Sequence, residues 1–248
     1  MVEFKDIVTD GDILINTDRY IHYQTLTKRI QYDSNKLVYK VMPDLAAFKE
    51  DEAYLNAIHR KHNQPFLKFV FPENCPLEDD LKSYLSIQGY EYSWLELYIN
   101  DELDFKIKEN TSIQVMETNE DNLVDYLNLS YEFDKQYGTD YAELKIEVNK
   151  AQFESESPVQ VISYYNGNPS GILLIWPEED YVELDAFSVR ENLRRLGIGT
   201  KMQDYVAKYA GNRPIVLVAE GEDTAKDMYK NQGYKYSGYR YEALKEFK

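Results

Sequence analysis

Only one of the 248 residues is a cysteine, Cys75, so an intramolecular disulfide is excluded. It stands between Asn74 and Pro76 with no histidine close in sequence, and reads as a partly buried, inert thiol. Histidine is nearly as scarce, with three in the chain. His59 and His62 share a helical face, but no carboxylate or cysteine completes a ligand set. They read as surface histidines, and no metal is expected. Basic residues are outnumbered, 28 Lys and Arg against 44 Asp and Glu, for a formal charge of −16. Nucleic-acid affinity rests on cations that neutralise phosphates, and anionic lipid surfaces attract the same cations. Neither nucleic acid nor membrane is therefore an expected partner. No apolar run approaches the roughly 20 residues of a membrane-spanning helix, and Met1–Asp6 has neither the basic start nor the apolar run of a secretory leader. A cytoplasmic, soluble protein is expected.

What is present is enough apolar material, 43% of residues, for a sizeable core in one large or two ordinary domains. The chain also carries 23 tyrosines, more than packing alone requires. One stretch organises the rest, Val182 to Thr200. Val182, Leu184 and Ala186 alternate with Glu183, Asp185 and Phe187, the period of a half-buried strand. Arg194-Arg195-Leu196-Gly197-Ile198-Gly199-Thr200 then leads into a helical pattern with Met202, Tyr205, Val206 and Tyr209. Two glycines thus stand at a helix start, where unpaired N–H groups and a partial positive charge suit an anion. The arginines add charge-assisted hydrogen bonds. A dinucleotide fingerprint needs a third glycine where Met202 stands, and the Gly-Lys-Ser/Thr of a P-loop is missing.

Downstream, Pro214–Ala219 reads as a strand and Ala225–Gln232 as a helix stopped at Gly233. Tyr234–Tyr241 reads as a further strand. Arg194-x-x-Gly197-x-Gly199, followed by Ala225-x-x-x-Tyr229-x-x-x-Gly233-Tyr234, resembles the GNAT family of acyl-CoA N-acyltransferases. The resemblance covers about Thr111 to Lys248 well, and the earlier part in outline. It implies a pyrophosphate grip for acetyl-CoA by Arg194, Arg195, Leu196, Gly197, Ile198, Gly199 and Thr200. It also implies backbone pairing of Phe187 and Val189 with the pantetheine arm. Glu222 is a departure, since the family often has asparagine there.

The front half of such a domain is legible as a strand at Ser112–Met116 and helices at Asp121–Phe133 and Tyr141–Phe153. Ser157-Pro158 breaks the second helix, and a hairpin turns at Asn166-Gly167-Asn168. Before it, Leu37–Met42, Leu45–His62, Phe66–Phe71, Pro76–Gln88 and Tyr90–Ile99 repeat the order strand, helix, strand, helix, strand. Asp12–Asn16 is a candidate strand, and Tyr20–Ile30 is ambiguous. Gln88-Gly89-Tyr90-Glu91-Tyr92-Ser93 echoes Gln232-Gly233-Tyr234-Lys235-Tyr236-Ser237. The expected fold is α/β with a mixed sheet, two GNAT-like domains in tandem. Residues 1–108 form a degenerate copy and 109–248 the acetyltransferase, with an acidic linker at 100–110. In the first copy, Glu50, Asp51 and Glu52 occupy the place of the phosphate loop and would repel a diphosphate.

Amide formation from a thioester needs a neutral amine. A lysine-like amine with a pKa of about 10.4 lies roughly 4 kcal/mol on the wrong side of that at neutral pH, which a neighbouring base offsets. Glu183, eleven positions before Arg194, is the candidate base, with Asp185 on the same strand face as the alternate. The resemblance makes Tyr229 the candidate acid toward the leaving thiolate. Glu132, Asp134 and Asp140 are candidate attractors of a cationic acceptor. The expected activity is direct acetyl transfer from acetyl-CoA to a primary amine of a small molecule or peptide, by a monomer or homodimer. A non-catalytic acyl-CoA-binding module is the alternative.

Overall fold

The computed structural model describes residues 2–9, 11–101, 110–221 and 226–247, the side chains of 226 and 227 excepted. The first half of the chain forms β1 (Ile13–Asn16), β2 (Tyr20–Gln24), β3 (Asn35–Tyr39), α1 (Leu45–Lys61), β4 (Phe66–Val70), α2 (Asp79–Ile87) and β5 (Glu91–Asn100). The second forms β6 (Ile113–Glu117), α3 (Leu123–Asp134), α4 (Thr139–Phe153), β7 (Val159–Tyr165), β8 (Asn168–Pro177), β9 (Val182–Val189), α5 (Ile198–Ala210), β10 (Ile215–Glu220), α6 (Lys226–Asn231) and β11 (Lys235–Glu246). The ambiguous stretch from Tyr20 is thus a strand that ends at Gln24. Most of the expected linker, and the expected boundary at 108/109, lie outside the described residues, as does the segment from Glu222 to Ala225.

All eleven strands join one mixed sheet in the order β1-β2-β3-β4-β11-β5-β10-β9-β8-β7-β6. The order is nearly a mirror of itself. β3 and β4 are parallel neighbours in one wing, as β9 and β10 are in the other. The last strand of each half then crosses over. β11 pairs antiparallel with β4, Glu242 opposite Val70, while β5 pairs antiparallel with β10, Val216 opposite Ile99. The two exchanged strands pair with each other at the centre, Arg240 opposite Leu95. A sheet built this way has no seam between the halves.

The sequence echo recurs in the hydrogen bonds. Gln88, Gly89 and Tyr90 donate their N–H groups to the carbonyls of Tyr84, Ser86 and Leu85. Gln232, Gly233 and Tyr234 donate to Met228, Lys230 and Tyr229, with the same offsets. Each glycine closes its helix in the left-handed region, and the tyrosine turns the chain into the exchanged strand.

The wings differ at the helix that follows the inner parallel strand. Glu50, Asp51 and Glu52 lie in the second turn of α1 rather than at its start. The start is capped by Asp44, whose carboxylate accepts the Ala47 N–H at 2.8 Å. Asp51 is buried and engaged by Arg19 and the Tyr39 hydroxyl, and Glu52 accepts the hydroxyls of Tyr84 and Tyr90. These acids hold the first wing together. His59 is a second correction. It is fully buried, and its Nδ1 lies 2.6 Å from the Phe66 carbonyl. The α1 face that carries it packs on β4, so the polar spacing of the sequence concealed a core position. His62 is half-buried at the helix end. Among the described residues no three metal-ligating side chains gather, and no helix is long and apolar enough to cross a membrane.

Candidate functional site

The site forms where β9 loses its partners. β9 pairs with β10 only at Val182 and Glu183, although β10 runs on to Glu220 along β5. On its other side, β9 inserts an extra residue against β8. Ile172 faces Ser188 and Leu174 faces Asp185, and Ala186 takes a φ of 49°. That is a β-bulge, which bends the strand away from β10 and opens a cleft in the sheet. Arg190 donates its N–H to the Ser170 carbonyl on the β8 side. By the alternation of a strand, Val189 and Phe187 direct their backbone groups the other way, into the cleft.

The start of α5 closes on this cleft. Gly197 caps the helix in the left-handed region, φ 88°, which a residue with a Cβ reaches only under strain. The first intrahelical bond runs from the Lys201 N–H to the Gly197 carbonyl at 3.0 Å, leaving the amides of Ile198, Gly199 and Thr200 pointing out of the helix end. A Cβ at Gly199 would sit 3.2 Å from Cζ of Phe187, so the Phe187 ring reaches from β9 to the helix mouth. Arg194, Arg195, Leu196 and Gly197 are exposed, Gly199 and Thr200 are half-buried, and Ile198 is anchored in the core. Arg194 Nε reaches the Val189 carbonyl at 3.3 Å, tying the loop to the strand. A hollow of about 660 Å³ opens beside Val189, Arg190 and Arg194. The donor set of this loop, all N–H groups and guanidinium, fits the diphosphate of acetyl-CoA.

A second cavity, about 390 Å³, lies on the sheet face that carries Glu183 and Asp185. Glu183 is 6% exposed, and its Oε2 accepts the Val8 N–H at 2.9 Å. Burial pushes its carboxyl up to about 7. The Val8 bond and Arg240 act against that shift, and Asp185 and Glu178 add to it. Asp185 is the more exposed of the pair and lies 3.4 Å from Trp176 Nε1. The N-terminal segment of the first half forms part of the wall. Phe4 donates its N–H to Glu73, the Asp6 carbonyl accepts the Tyr181 hydroxyl, and Ile7, Val8 and Thr9 line the cavity. Composition and periodicity gave no hint of this segment, because its contacts cross 175 residues of sequence.

The remaining expected residues divide. Asp134 lines the cavity, held by the Ser130 hydroxyl at 2.8 Å, and burial raises its carboxyl. Glu132 is taken by Arg190 in a forked ion pair, and Asp140 is exposed on α4. Tyr229 is 8% exposed and packs with Tyr98 and Tyr234, ring centroids 6.0 and 5.8 Å away, in the core beneath α5 and α6. It does not line the cavity that holds Glu183. A further hollow, about 900 Å³, follows Val2, Ile99 and Tyr236 and touches none of the expected site residues.

Comparison with known proteins agrees with this geometry. The Acetyltransferase (GNAT) family profile matches residues 120–234, and a profile described as a domain of unknown function, DUF5613, matches residues 2–98, as a divergent first copy would. A functionally unknown conserved protein from Staphylococcus epidermidis is 31% identical over 100% of this chain and 98% of its own, with a TM-score of 0.92. A GCN5-related N-acetyltransferase from Kribbella flavida shares the fold at 13% identity over 94% of this chain and 89% of its own, TM-score 0.60. A tandem GNAT protein from the clavulanic acid biosynthesis pathway does so at 12% identity over 85% of this chain and 75% of its own, TM-score 0.54. No curated protein matches the chain in sequence.

Proposed function

The chain belongs to the GNAT superfamily, and from that premise we propose that it is an acetyl-CoA-dependent N-acetyltransferase acting on a primary amine of a small molecule or peptide. The observation that carries this reading is the closeness of the Phe187 ring to Gly199. It sets an anion-binding helix mouth against the unpaired edge of a bulged strand. The amides of Ile198, Gly199 and Thr200, with Arg194 and Arg195, would hold the diphosphate. The open backbone of Phe187 and Val189 would hold the pantetheine amides. Acetyl-CoA supplies an acyl group activated as a thioester.

Glu183 acts as the base. A carboxyl titrating near 7 is half ionised at neutral pH and accepts a proton far more readily than an ordinary one. It stands on the cavity side of β9, while the diphosphate grip stands at the strand's far end. Tyr229 is the proposed acid. A tyrosine near pKa 10 donating to a thiolate near 8.5 works uphill by about 2 kcal/mol, which a hydrogen bond strengthening in the transition state offsets.

Mixing the protein with acetyl-CoA and a panel of amines, and following thiol release, tests the reading. Glu183→Gln and Tyr229→Phe are each expected to lower turnover about 10²-fold or more, while calorimetry still shows acetyl-CoA binding. Binding without turnover on any amine would leave a non-catalytic module, and no binding at all would remove the acyl-CoA reading itself.

A further inference from the structure

Arg240 stands on β11, on the same sheet face as Glu183 and lining the same cavity. Among the described residues, no carboxylate lies within ion-pair distance of its nitrogens, and its Nε is buried without a hydrogen-bond partner. Its guanidinium carbon lies 4.5 Å from the centroid of the Phe4 ring. The acids whose fields reach it are all engaged elsewhere. Glu242 holds Lys68 at 3.0 Å, and Asp33 holds Lys36 and Lys68. Glu73 takes the Phe4 N–H and Glu183 the Val8 N–H. A guanidinium that is half-buried, with its Nε enclosed and no acid paired to it, is favourably completed by an anion in the cavity. Gln31, 9% exposed, also faces this cavity with its side-chain oxygen unpartnered.

The spacing between the two ends is set by the sheet. Three strand intervals separate β11 from β9 in the order β11-β5-β10-β9. At about 4.8 Å each, that puts the two strands roughly 14 Å apart, and the register offsets the two residues by a further four positions along the sheet, from Glu220 to Val216 on β10, so their long side chains must reach toward each other across the cavity. Leu95 on β5 and Val218 on β10 form the intervening floor. The cavity is therefore acidic at the Glu183 end, apolar in the middle and cationic at the Arg240 end.

Resting on the reading of Glu183 as the base, we propose that the acceptor is a zwitterion. Its amine would be presented to Glu183 and Asp185, and its carboxylate would be gripped by Arg240, as in an amino acid or short peptide with the two groups apart. Arg240 is then a specificity-determining residue: guanidinium and carboxylate match as a two-pronged hydrogen-bonded pair, which a lone ammonium or amide does not reproduce.

Matched pairs of amines that differ only in a carboxylate, such as 6-aminohexanoate against pentylamine, test this. The wild type is expected to favour the carboxylate-bearing member at least tenfold in kcat/KM. Arg240→Gln also removes a charge that lowers the Glu183 pKa, so both members are compared at a pH well above 7, where the variant is expected to raise KM for the carboxylate-bearing member about tenfold or more relative to the plain amine, and Arg240→Lys to fall between. Circular dichroism establishes that each variant is folded, and if the glutamine variant is not, the lysine variant and the wild-type preference decide. Equal use of both members by the wild type, or equal loss of both in the variants, overturns the proposal. If no amine is acetylated, calorimetric titration of the same pairs separates the two questions. Carboxylate-dependent binding lost in Arg240→Gln sustains recognition without transfer, and the absence of such binding overturns it.

Discussion

At the scale of single residues, Glu183 concentrates the chemistry. Its carboxyl is raised from 4.5 to about 7, with burial as the leading cause. As the proposed base it would work when ionised, so kcat/KM should climb as pH rises through about 7, and Glu183→Gln should flatten that limb. The same shift has a consequence for stability. The folded protein holds a proton on this group that the unfolded chain releases near 4.5. Its contribution is therefore full below that pH and lost as pH rises through 7. At 1.36 kcal/mol per unit the swing is at most about 3 kcal/mol. Thermal melts of the wild type should show Tm falling across that window relative to Glu183→Gln. A parallel pH dependence in the two proteins would mean that the carboxyl titrates normally. Tyrosines serve a different purpose. Hydroxyls of Tyr39, Tyr84, Tyr90, Tyr98 and Tyr164 donate to Asp51, Glu52, Glu96 and Asp125, and their own ionisation is pushed upward by burial and by those acids. The excess of tyrosine and the excess of acid are thus partly one feature, since each hydroxyl satisfies a carboxylate without adding a cation.

At the scale of elements, the decisive piece is the N-terminal strap of residues 2–9. Phe4 and Ile7 pack on Leu97, Val216 and Tyr181, while Val8 seals Glu183 from solvent. Removing the strap would take away both the Val8 hydrogen bond, which lowers the Glu183 pKa, and the burial, which raises it. Burial is the larger. A chain beginning at residue 10 should therefore show its acid limb moved from about 7 toward 4.5, measured by the pH profile of kcat/KM. An upward move would mean that the hydrogen bond outweighs burial. The start of α5 is the other element whose geometry is exacting. Gly199→Val would drive a branched side chain into the ring of Phe187, and should weaken acetyl-CoA binding at least tenfold by calorimetry, with circular dichroism checking that the variant is folded.

At the scale of the whole molecule, the exchange of β5 and β11 governs behaviour. Each half would lack the strand that completes its wing and would present unpaired central edges to solvent, a condition that favours aggregation. Residues 1–101 and 110–248 produced separately should be insoluble or unfolded, and produced together should reassemble. The intact chain should melt in one calorimetric transition whose van't Hoff and calorimetric enthalpies agree. Two resolved transitions would show that the wings are independent. The exchange also explains how residues from both halves reach one cavity. Arg240 and Leu95 come from the crossed strands, and Gln31 and Val8 from the first half, opposite Glu183 and Asp185 from the second.

Short-range patterns made much of this legible. The glycines at 197 and 199, the helix stops at Gly89 and Gly233 and the echo around them are each written within a few residues, and local backbone physics enforces them, whereas the alternation expected through Val182–Phe187 fails, since Glu183 is buried and Ala186 is exposed at the bulge. The helix mouth proposed to grip the diphosphate belongs to the locally written features, because a helix start and its amides are made by the segment itself. Strand partners do not. β5 and β11 enter through the same Gln-Gly-Tyr turn, and nothing local states which will lie beside β4 and which beside β10. His59 read as a surface residue and is core, because burial depends on what packs opposite. The strap over Glu183, the raised pKa that follows and the unpaired guanidinium of Arg240 are likewise set only when distant segments meet, since desolvation and charge pairing are properties of an enclosure and not of a sequence.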